Sequence, residues 1–308
     1  MCPFSISYEV HVHMNNILET KNLKVTINNK VILYLDKEVC ISEKDKVAIL
    51  GDNGAGKTTL VNSILGEKNS SGEITKKFKK NDCGVVFQEN AYNDLMKVYE
   101  LITLVLPHLK KKERAQFLHK YELESLRKKY IKDLSGGEKQ RLTLCLVLES
   151  HKKLYIFDEL TSGLDYKKRL GLLALMKEKT KDATVINITH YFEEVENWAT
   201  KVLILQKGIL LFWGTISEFF SNFPHYSVIK VDQIELTKID ETDMTFMQST
   251  DTGDGIAVIC SDLQIQEETK KILDKKNVTY NTIKQNIYTT YLVAYLRGTS
   301  SSEQEVLI

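Results

Sequence analysis

The chain has 308 residues, of which 43% are hydrophobic and 27% are charged, and its formal net charge is +1. This length favours one main domain with an appendage, and the near-neutral charge excludes a general attraction to nucleic acid or to an anionic membrane. The composition is typical of a soluble globular protein, and no apolar run reaches the ~18 residues that a membrane span requires. We therefore expect a cytoplasmic protein that reaches a membrane only through a partner.

The cysteines and the first residues agree with that location. The cysteines are odd in number, widely spaced and without a Cys-x-x-Cys pair, which argues against a disulfide framework or a zinc site. They are Cys2, Cys40, Cys83, Cys145 and Cys260. The first 13 residues lack the basic-then-apolar plan of a secretory signal, and we interpret residues 1–16 as an N-terminal extension.

Strand patterns alternate with helical patterns along residues 17–222. Alternating, β-branched segments between Leu18 and Leu50 predict strands, and Lys57–Leu65 predicts a helix that ends at Gly66. Further strands are predicted at Gly84–Phe87, Leu154–Phe157, Thr184–Ile188 and Val202–Leu205. The apolar stretch Val202–Gly214 is broken by Gln-Lys-Gly and predicts two strands around a turn. The alternation predicts a largely parallel sheet that is covered by helices on both faces.

Two regions depart from this alternation. A polar, helix-rich block begins at residue 89 and predicts a helical insertion. After about residue 222, strands at Ser227–Val231 and Gly255–Cys260 and a helix at Leu263–Lys275 predict a smaller α+β unit. Near its end, tyrosines and leucines repeat at helical spacing, a stripe that favours local core over a partner-binding surface.

The segment Gly51–Thr58, GDNGAGKT, matches the phosphate-loop pattern between a predicted strand and a predicted helix. Its glycines let successive N–H groups turn inward to bind an anion, and the helix N-terminus points at the same place. Lys57 can reach the β- and γ-phosphates, and the Thr58 hydroxyl can bind Mg²⁺. We expect a nucleotide site here.

Two later strands end in polar residues. LYIFDE, Leu154–Glu159, delivers two carboxylates, which could hold Mg²⁺ and take a proton from water, or could be an ordinary strand end. TVINITH, Thr184–His190, ends in a histidine that could be catalytic or only a structural hydrogen-bonding residue. Taken separately, neither strand decides between these interpretations.

The octapeptide Leu134–Arg141, LSGGEKQR, follows the phosphate loop and precedes the acidic strand. In this order the motifs resemble those of the ATP-binding cassette (ABC) ATPase family, whose signature is of the LSGGQ type. A Ser-Gly-Gly run before a helix is a second anion-binding helix N-terminus. The resemblance implies that it serves ATP held by another cassette, with two cassettes facing head to tail around two ATP molecules.

The resemblance implies a fold as well. It is a P-loop NTPase fold, α/β, with a RecA-like, mainly parallel sheet and an N-terminal antiparallel β subdomain. The ATPase domain would span residues 17–222, with a helical subdomain at about residues 89–150. Residues 223–308 would form a C-terminal accessory α+β domain.

The resemblance also implies a role for each matching residue, with ATP and Mg²⁺ as cofactors. Glu159 matches the general base, His190 the switch histidine, and Gln88 the residue that senses the metal and the attacking water. Asp158 matches the Mg²⁺-associated acid, with Thr58 and Gln88 also at the metal. The implied contacts to ATP are Asn53, Gly54, Ala55, Gly56, Lys57, Thr58 and Thr59 of one cassette, and Ser135, Gly136, Gly137 and Asp165 at the interface with the other.

One position departs from the family in a way that affects the nucleotide base. Aligning Lys21–Ile27 with the family's first strand places Ile27 where an aromatic residue usually stacks on adenine. Loss of one stacking contact costs on the order of 1 kcal/mol, roughly fivefold in affinity. We expect weaker selection of adenine, unless Tyr34 compensates, and continued binding through the phosphates.

Three function classes fit these motifs. The first is the ATP-hydrolysing subunit of a transporter, bound to an integral membrane permease at the cytosolic face of the cell membrane, with a second cassette that is this chain or another. The second is a soluble ABC-type ATPase acting on ribosomes, DNA or metal-cluster assembly, and the third is a regulatory cassette with little turnover. The first class is favoured. A single phosphate loop argues against ribosome-acting relatives and the absence of heptads against DNA-acting ones, so no nucleic-acid partner is expected. An intact Glu159 argues against a cassette with little turnover. A last helix that finishes near Gly298 resembles exporter cassettes, so export is expected.

Overall fold

A computed structural model of the chain describes residues 15–88, 92–196, 198–247 and 249–305. The predicted N-terminal extension lies outside this range except for its last two residues. The first residues of the predicted helical insertion, 89–91, also lie outside it. Within the described ranges, no helix combines the length and the apolar character that crossing a membrane would require.

Ten strands form the main sheet. They are β1 (Asn16–Ile27), β2 (Lys30–Leu35), β3 (Val39–Ser42), β4 (Lys46–Leu50), β5 (Ser71–Lys76), β6 (Cys83–Val86), β7 (Leu154–Asp158), β8 (Thr184–Ile188), β9 (Lys201–Gln206) and β10 (Ile209–Thr215). Their order is β3-β1-β2-β10-β9-β4-β8-β7-β6, with β5 paired to β1. Strands β9, β4, β8, β7 and β6 are parallel, whereas β1 pairs antiparallel with β2, β3 and β5. The predicted mixed α/β fold is confirmed.

Seven helices accompany this sheet in the described ranges. They are α1 (Lys57–Leu65), α2 (Val98–Val105), α3 (Lys111–Lys120), α4 (Gly136–Leu148), α5 (Tyr166–Lys179), α6 (Phe192–Val195) and α7 (Ile216–Asn222). The central strands β4, β7 and β8 are buried at every position because both faces of the sheet are covered. On β4, Val47 and Ile49 pack in one apolar cluster with α1, while Ala48 and Leu50 pack in another on the opposite face.

The helical insertion has a core of its own. Residues of α2, α3 and α4 share one apolar cluster that includes Ile102, Phe117 and Leu142. The other face of α4 contacts the main sheet, where Leu144 packs with Phe157 of β7. Helix α4 therefore connects the insertion rigidly to the sheet, and it is the helix that begins at the LSGG motif.

A second, four-stranded antiparallel sheet lies in the C-terminal part. Its strands are β11 (Ser227–Asp232), β12 (Ser249–Asp251), β13 (Gly255–Cys260) and β14 (Tyr280–Lys284), in the order β12-β13-β11-β14. Its helices are α8 (Glu241–Phe246), α9 (Leu263–Lys275) and α10 (Ile287–Glu305). The domain limits at residues 16/17 and 222/223 remain predictions.

Helix α10 corrects one expectation. It does not finish near Gly298 but continues to Glu305. A side chain at position 298 would begin 2.6 Å from the Gln206 side chain and 2.7 Å from that of Leu211. The glycine therefore allows close packing of α10 against the end of β9 and the start of β10 and does not stop the helix. Nearer the start of α10, Tyr291 and Leu292 share an apolar cluster with Leu50 and Ile204 of the main sheet.

Candidate active site

The phosphate loop connects β4 to α1, and its backbone has the form that binds anions. Gly54 and Gly56 have φ angles of 81° and 98°, in the left-handed region that glycine adopts without a steric penalty. Gly56 also caps the N-terminus of α1 without a side chain. The loop N–H groups and the positive end of α1 thus face the same space, which suits a polyphosphate.

Lys57 lies folded over this loop. Its ammonium donates hydrogen bonds to the carbonyl oxygens of Gly51 at 2.7 Å and Asp52 at 3.0 Å. Burial lowers the pKa of Lys57, and the charges of Glu159, Asp158 and Asp52 oppose that change. The only positive side chain among the described residues of the loop is therefore held where phosphate oxygens would lie.

Thr58 and Asp158 form the oxygen pair that a magnesium ion needs. The Thr58 hydroxyl donates a 2.9 Å hydrogen bond to Oδ2 of Asp158, which is the last residue of β7 and is 4% exposed. Burial raises the pKa of Asp158, and the hydrogen bond from Thr58 opposes the rise. Mg²⁺ is usually bound by one or two protein oxygens, with water and substrate phosphates completing its octahedron. The two residues fit that pattern, and no cluster of three acidic, histidine or cysteine ligands occurs in the described part of the chain.

The three predicted catalytic residues come together at the ends of neighbouring strands. Glu159 follows β7, Gln88 follows β6 and His190 follows β8. Gln88 Nε2 donates to Glu159 Oε2 at 3.0 Å, and His190 Nδ1 lies 3.9 Å from Glu159 Oε1. Glu159 has a φ of 50°, a strained conformation of the kind that clusters at active sites. Its N–H donates to the carbonyl oxygen of Ile188 at 3.0 Å, which secures that conformation.

These residues line one cleft of about 1180 Å³. The cassette side of the cleft contains Asp52, Asn53, Gln88, Glu159 and His190. The opposite side comes from the C-terminal part, with residues 249–253 and the tyrosines Tyr288, Tyr291 and Tyr295 of α10. The sequence pattern showed that these tyrosines share one helix face, but not that this face borders the active site.

The chain resembles one family model and several known proteins. A model described as ABC transporter matches residues 35–162. The methionine import ATP-binding protein MetN of Streptococcus pneumoniae is 32% identical, with 67% of each chain covered. An ABC transporter ATP-binding protein of Clostridium acetobutylicum is 31% identical, with 65% of this chain and 81% of the relative covered. The solved structure of cbiO1 from Clostridium perfringens, part of the cbiONQ complex, has a TM-score of 0.57 and 26% identity and covers 67% of this chain and 91% of that one.

This chain belongs to the ABC transporter ATP-binding family. The predicted family is thereby confirmed, and with it the prediction that the protein is an ATPase whose cofactors are ATP and Mg²⁺. The MetN relatives are named as import proteins. The predicted exporter type is therefore not supported.

The signature motif of this ABC ATPase forms the start of helix α4. The Ser135 hydroxyl accepts a hydrogen bond from the Glu138 N–H at 3.3 Å, and the Glu138 carboxylate accepts one from the Ser135 N–H at 2.8 Å. This reciprocal capping box starts α4. Ser135 and Gly136 are exposed, and Ser135, Gly136 and Gly137 are absent from the described residues that line the cleft. The Ser-x-x-Glu spacing could have been recognised as a helix start, because Glu138 completes the capping box.

Among the predicted site residues, positions 54–59 and Asp158 also lie outside the cleft lining, as do Asp165 and Ile27. Asp165 caps α5, where its side chain accepts from the Lys168 N–H at 3.0 Å and pairs with the Lys168 ammonium at 2.9 Å. Ile27 ends β1 beside the hairpin turn, pairs with Lys30 and is 37% exposed. Their proposed roles at the dimer interface and at the base of ATP stay predictions.

One buried acid was missed by the sequence analysis. Glu194 of α6 is 3% exposed, and its carboxylate accepts hydrogen bonds from the hydroxyls of Thr161 and Thr189. Thr161 lies two residues after Glu159, and Thr189 immediately precedes His190. Glu194 therefore joins the loop of the predicted base to the loop of the switch histidine. Its neighbours Glu193 and Glu196 are acidic and exposed, so nothing in the sequence distinguished Glu194 from a solvated face.

Proposed function

We propose that this protein is the ATP-hydrolysing subunit of an ABC transporter that drives a separate membrane permease through ATP-dependent, head-to-tail dimerisation. The observation that carries the proposal is that Ser135–Gly137 forms the N-terminus of α4 at the surface, with Ser135 and Gly136 exposed. The first N–H groups of a helix have no intrahelical partner, and Gly136 and Gly137 contribute two of them. An ATP molecule held by the phosphate loop of a second cassette would satisfy these groups.

Within each site we propose that Glu159 acts as the general base. Its carboxylate would accept a proton from a water molecule as the water oxygen bonds to the γ-phosphorus and the bond from that phosphorus to the bridging oxygen of ADP breaks. The 3.0 Å contact from Gln88 orients this carboxylate, and His190 lies on its other side. Lys57 and the loop N–H groups would hold the phosphates, and Mg²⁺ beside Thr58 and Asp158 supplies charge neutralisation when bound.

We further propose that the transporter works in the uptake direction. This proposal rests on the names of the MetN relatives, which are import proteins, and it replaces export. A comparison of metabolites in cells and medium tests it. When the wild-type chain is replaced by Glu159→Gln, the concentration of an imported substrate inside the cells should fall, and the substrate should remain in the medium. An increase of the substrate inside the cells would instead indicate export.

The test of the transporter itself is purification from detergent extracts. The tagged Glu159→Gln chain, loaded with ATP and Mg²⁺, is expected to bring down an integral membrane protein in stoichiometric amount. Dimerisation is measured separately by light scattering with and without ATP. Lys57→Met, which should not bind ATP, is the control in that measurement. A partner set made only of ribosomal or other soluble proteins would reject the transporter proposal.

A further inference from the structure

The last helix of the C-terminal part touches the phosphate loop. The Tyr291 hydroxyl of α10 donates a 3.0 Å hydrogen bond to Oδ1 of Asp52, although the two residues lie 239 positions apart. Tyr291 is 7% exposed, and its ring packs against Phe192 at 5.0 Å and Tyr295 at 6.0 Å. Burial and the charge of Asp52 raise the pKa of Tyr291, so its hydroxyl remains protonated and able to donate. The contact is therefore a fixed part of the packed helix.

A second tyrosine of α10, Tyr295, lines the same cleft as Asp52. A hydrogen bond with Gln206 lowers the pKa of Tyr295, but burial and Asp52 together raise it by more. The hydrogen bond to Asp52 comes from Tyr291, and Tyr295 lies one helical turn further along α10. Both come from the stripe that the sequence pattern favoured as local core.

Asp52 occupies a position where a free carboxylate would interfere with ATP. It is the second residue of the loop, and Gly54, which turns the backbone with its positive φ, follows it by two positions. An aspartate readily accepts hydrogen bonds from N–H groups two or three residues further on, as in Asx turns and helix caps. An unrestrained Asp52 side chain would therefore compete with phosphate for the N–H groups of its own loop.

We propose that Tyr291 is a positioning residue that holds the Asp52 carboxylate against α10 and so keeps the phosphate loop free for ATP. The C-terminal part is then a component of the nucleotide site. The inference rests on the phosphate loop as the place where ATP binds, and it adds a role for a region outside the cassette motifs.

Tyr291→Phe tests the proposal because it keeps the ring and its packing and removes only the hydroxyl. Hydrogen bonds to charged groups are strong enough that we expect the KM for MgATP to rise about tenfold. The kcat should stay within about twofold, because saturating ATP displaces the competing carboxylate. Trinitrophenyl-ATP titration of the full chain should give the same tenfold loss in affinity, and the melting temperature is measured with it to show that the variant is folded.

Two further variants separate competition from simple damage. Adding Asp52→Ala to Tyr291→Phe removes the competing oxygen acceptor, so the KM should return to within about threefold of the wild-type value. Loss of packing would not be rescued in this way. Tyr280→Phe is the matched control, since its hydroxyl donates to Asp274 at the same 3.0 Å within the C-terminal part. We expect it to leave the KM unchanged.

Three outcomes would overturn the inference. An unchanged KM in Tyr291→Phe shows that the hydroxyl does not act on the loop, and a failed rescue by Asp52→Ala shows that the carboxylate is not the competitor. Lys57→Met is titrated in parallel, because it distinguishes a failure of the role of Tyr291 from a failure of the ATP-site assignment. If it binds trinitrophenyl-ATP normally, ATP lies elsewhere and both assignments fall. If it loses binding while Tyr291→Phe does not, only the role of Tyr291 falls.

Discussion

The side-chain amide of Gln88 donates a 3.0 Å hydrogen bond to the carboxylate of Glu159, joining the ends of the neighbouring strands β6 and β7. The contact orients one carboxylate oxygen while the other faces His190. Because Glu159 also has a positive φ, its side chain is aimed by both its backbone and its neighbour. This geometry makes the role of Glu159 testable with a conservative change.

We predict that Glu159→Gln slows ATP hydrolysis by at least ~100-fold, the loss expected for a general base. The amide oxygen can still accept from Gln88, so ATP affinity should be retained. Phosphate release and trinitrophenyl-ATP titration measure the two quantities separately. Near-normal turnover would remove Glu159 from the role of base.

Thr58→Val should weaken the magnesium site. Valine has nearly the same shape but lacks the hydroxyl that bonds to Asp158, so one of the two protein oxygens is lost. We expect the Mg²⁺ concentration for half-maximal ATPase activity to rise at least about tenfold, while Thr58→Ser stays close to wild type. EDTA should abolish activity in all three proteins. Equal Mg²⁺ dependence of the valine and serine variants would contradict this site.

The buried Glu194 should matter for turnover more than for ATP binding. In Glu194→Gln one oxygen becomes an amide donor, so Thr161 or Thr189 loses its acceptor and the two catalytic loops shift relative to each other. We expect kcat to fall roughly tenfold or more with little change in the KM for MgATP. Glu193→Gln, an exposed neighbour of the same charge, is the control. A KM effect without a kcat effect would argue against the link between the loops.

Ser135 allows the cap of α4 and the predicted contact to a second cassette to be tested separately. Asp and Asn cap helices about as well as Ser, so Ser135→Asp and Ser135→Asn should keep the melting temperature within about 2 °C. A carboxylate at this position would repel the phosphates of the facing ATP, whereas an amide would not. We expect Ser135→Asp to lose ATP-dependent dimerisation, measured by light scattering in the Glu159→Gln background. Equal dimerisation of the two variants would contradict head-to-tail assembly.

Asp158→Asn should stabilise the protein without its cofactors. Burial raises the pKa of Asp158, so the folded state prefers the protonated form. Once the pH exceeds the folded pKa, the buried charge lowers the free energy of unfolding. We expect the melting temperature at pH 7 to rise by a few degrees, and the gain to vanish below the ordinary pKa of 3.8. Hydrolysis should be lost in the same variant. A lower melting temperature at pH 7 would show that the carboxylate is net stabilising.

Much of the site could be predicted because the residues lie at recognisable positions in the chain. Lys57 and Thr58 follow a glycine loop, and Asp158, Glu159 and His190 follow short apolar strands. In a parallel sheet the carboxyl ends of neighbouring strands meet at one edge, so local patterns were enough to bring these side chains together. The helix at Lys57–Leu65 and the strand at Thr184–Ile188 have the predicted bounds, because local sequence patterns mark where each begins and ends.

The contacts that were missed connect segments whose local patterns are ordinary. Glu194 is one acid among several, and its burial between Thr161 and Thr189 depends on how α6 packs beneath two loops. Glycine is common at helix ends, yet Gly298 lies within α10 and allows the helix to pack closely against Leu211. Helical periodicity indicates that one face of a helix is apolar, but it does not specify which surface that face covers.

The sequence by itself determined the chemistry of this protein. A phosphate loop, a signature motif and two acidic residues at the end of a strand, in that order along the chain, indicate ATP hydrolysis. Only the tertiary structure decided what surrounds that chemistry. The contact between Tyr291 and Asp52 depends on the packing of α10 across β4 and β9, which brings together residues from opposite ends of the chain. Such long-range packing is set by the shape and burial of whole elements, and no local motif encodes it.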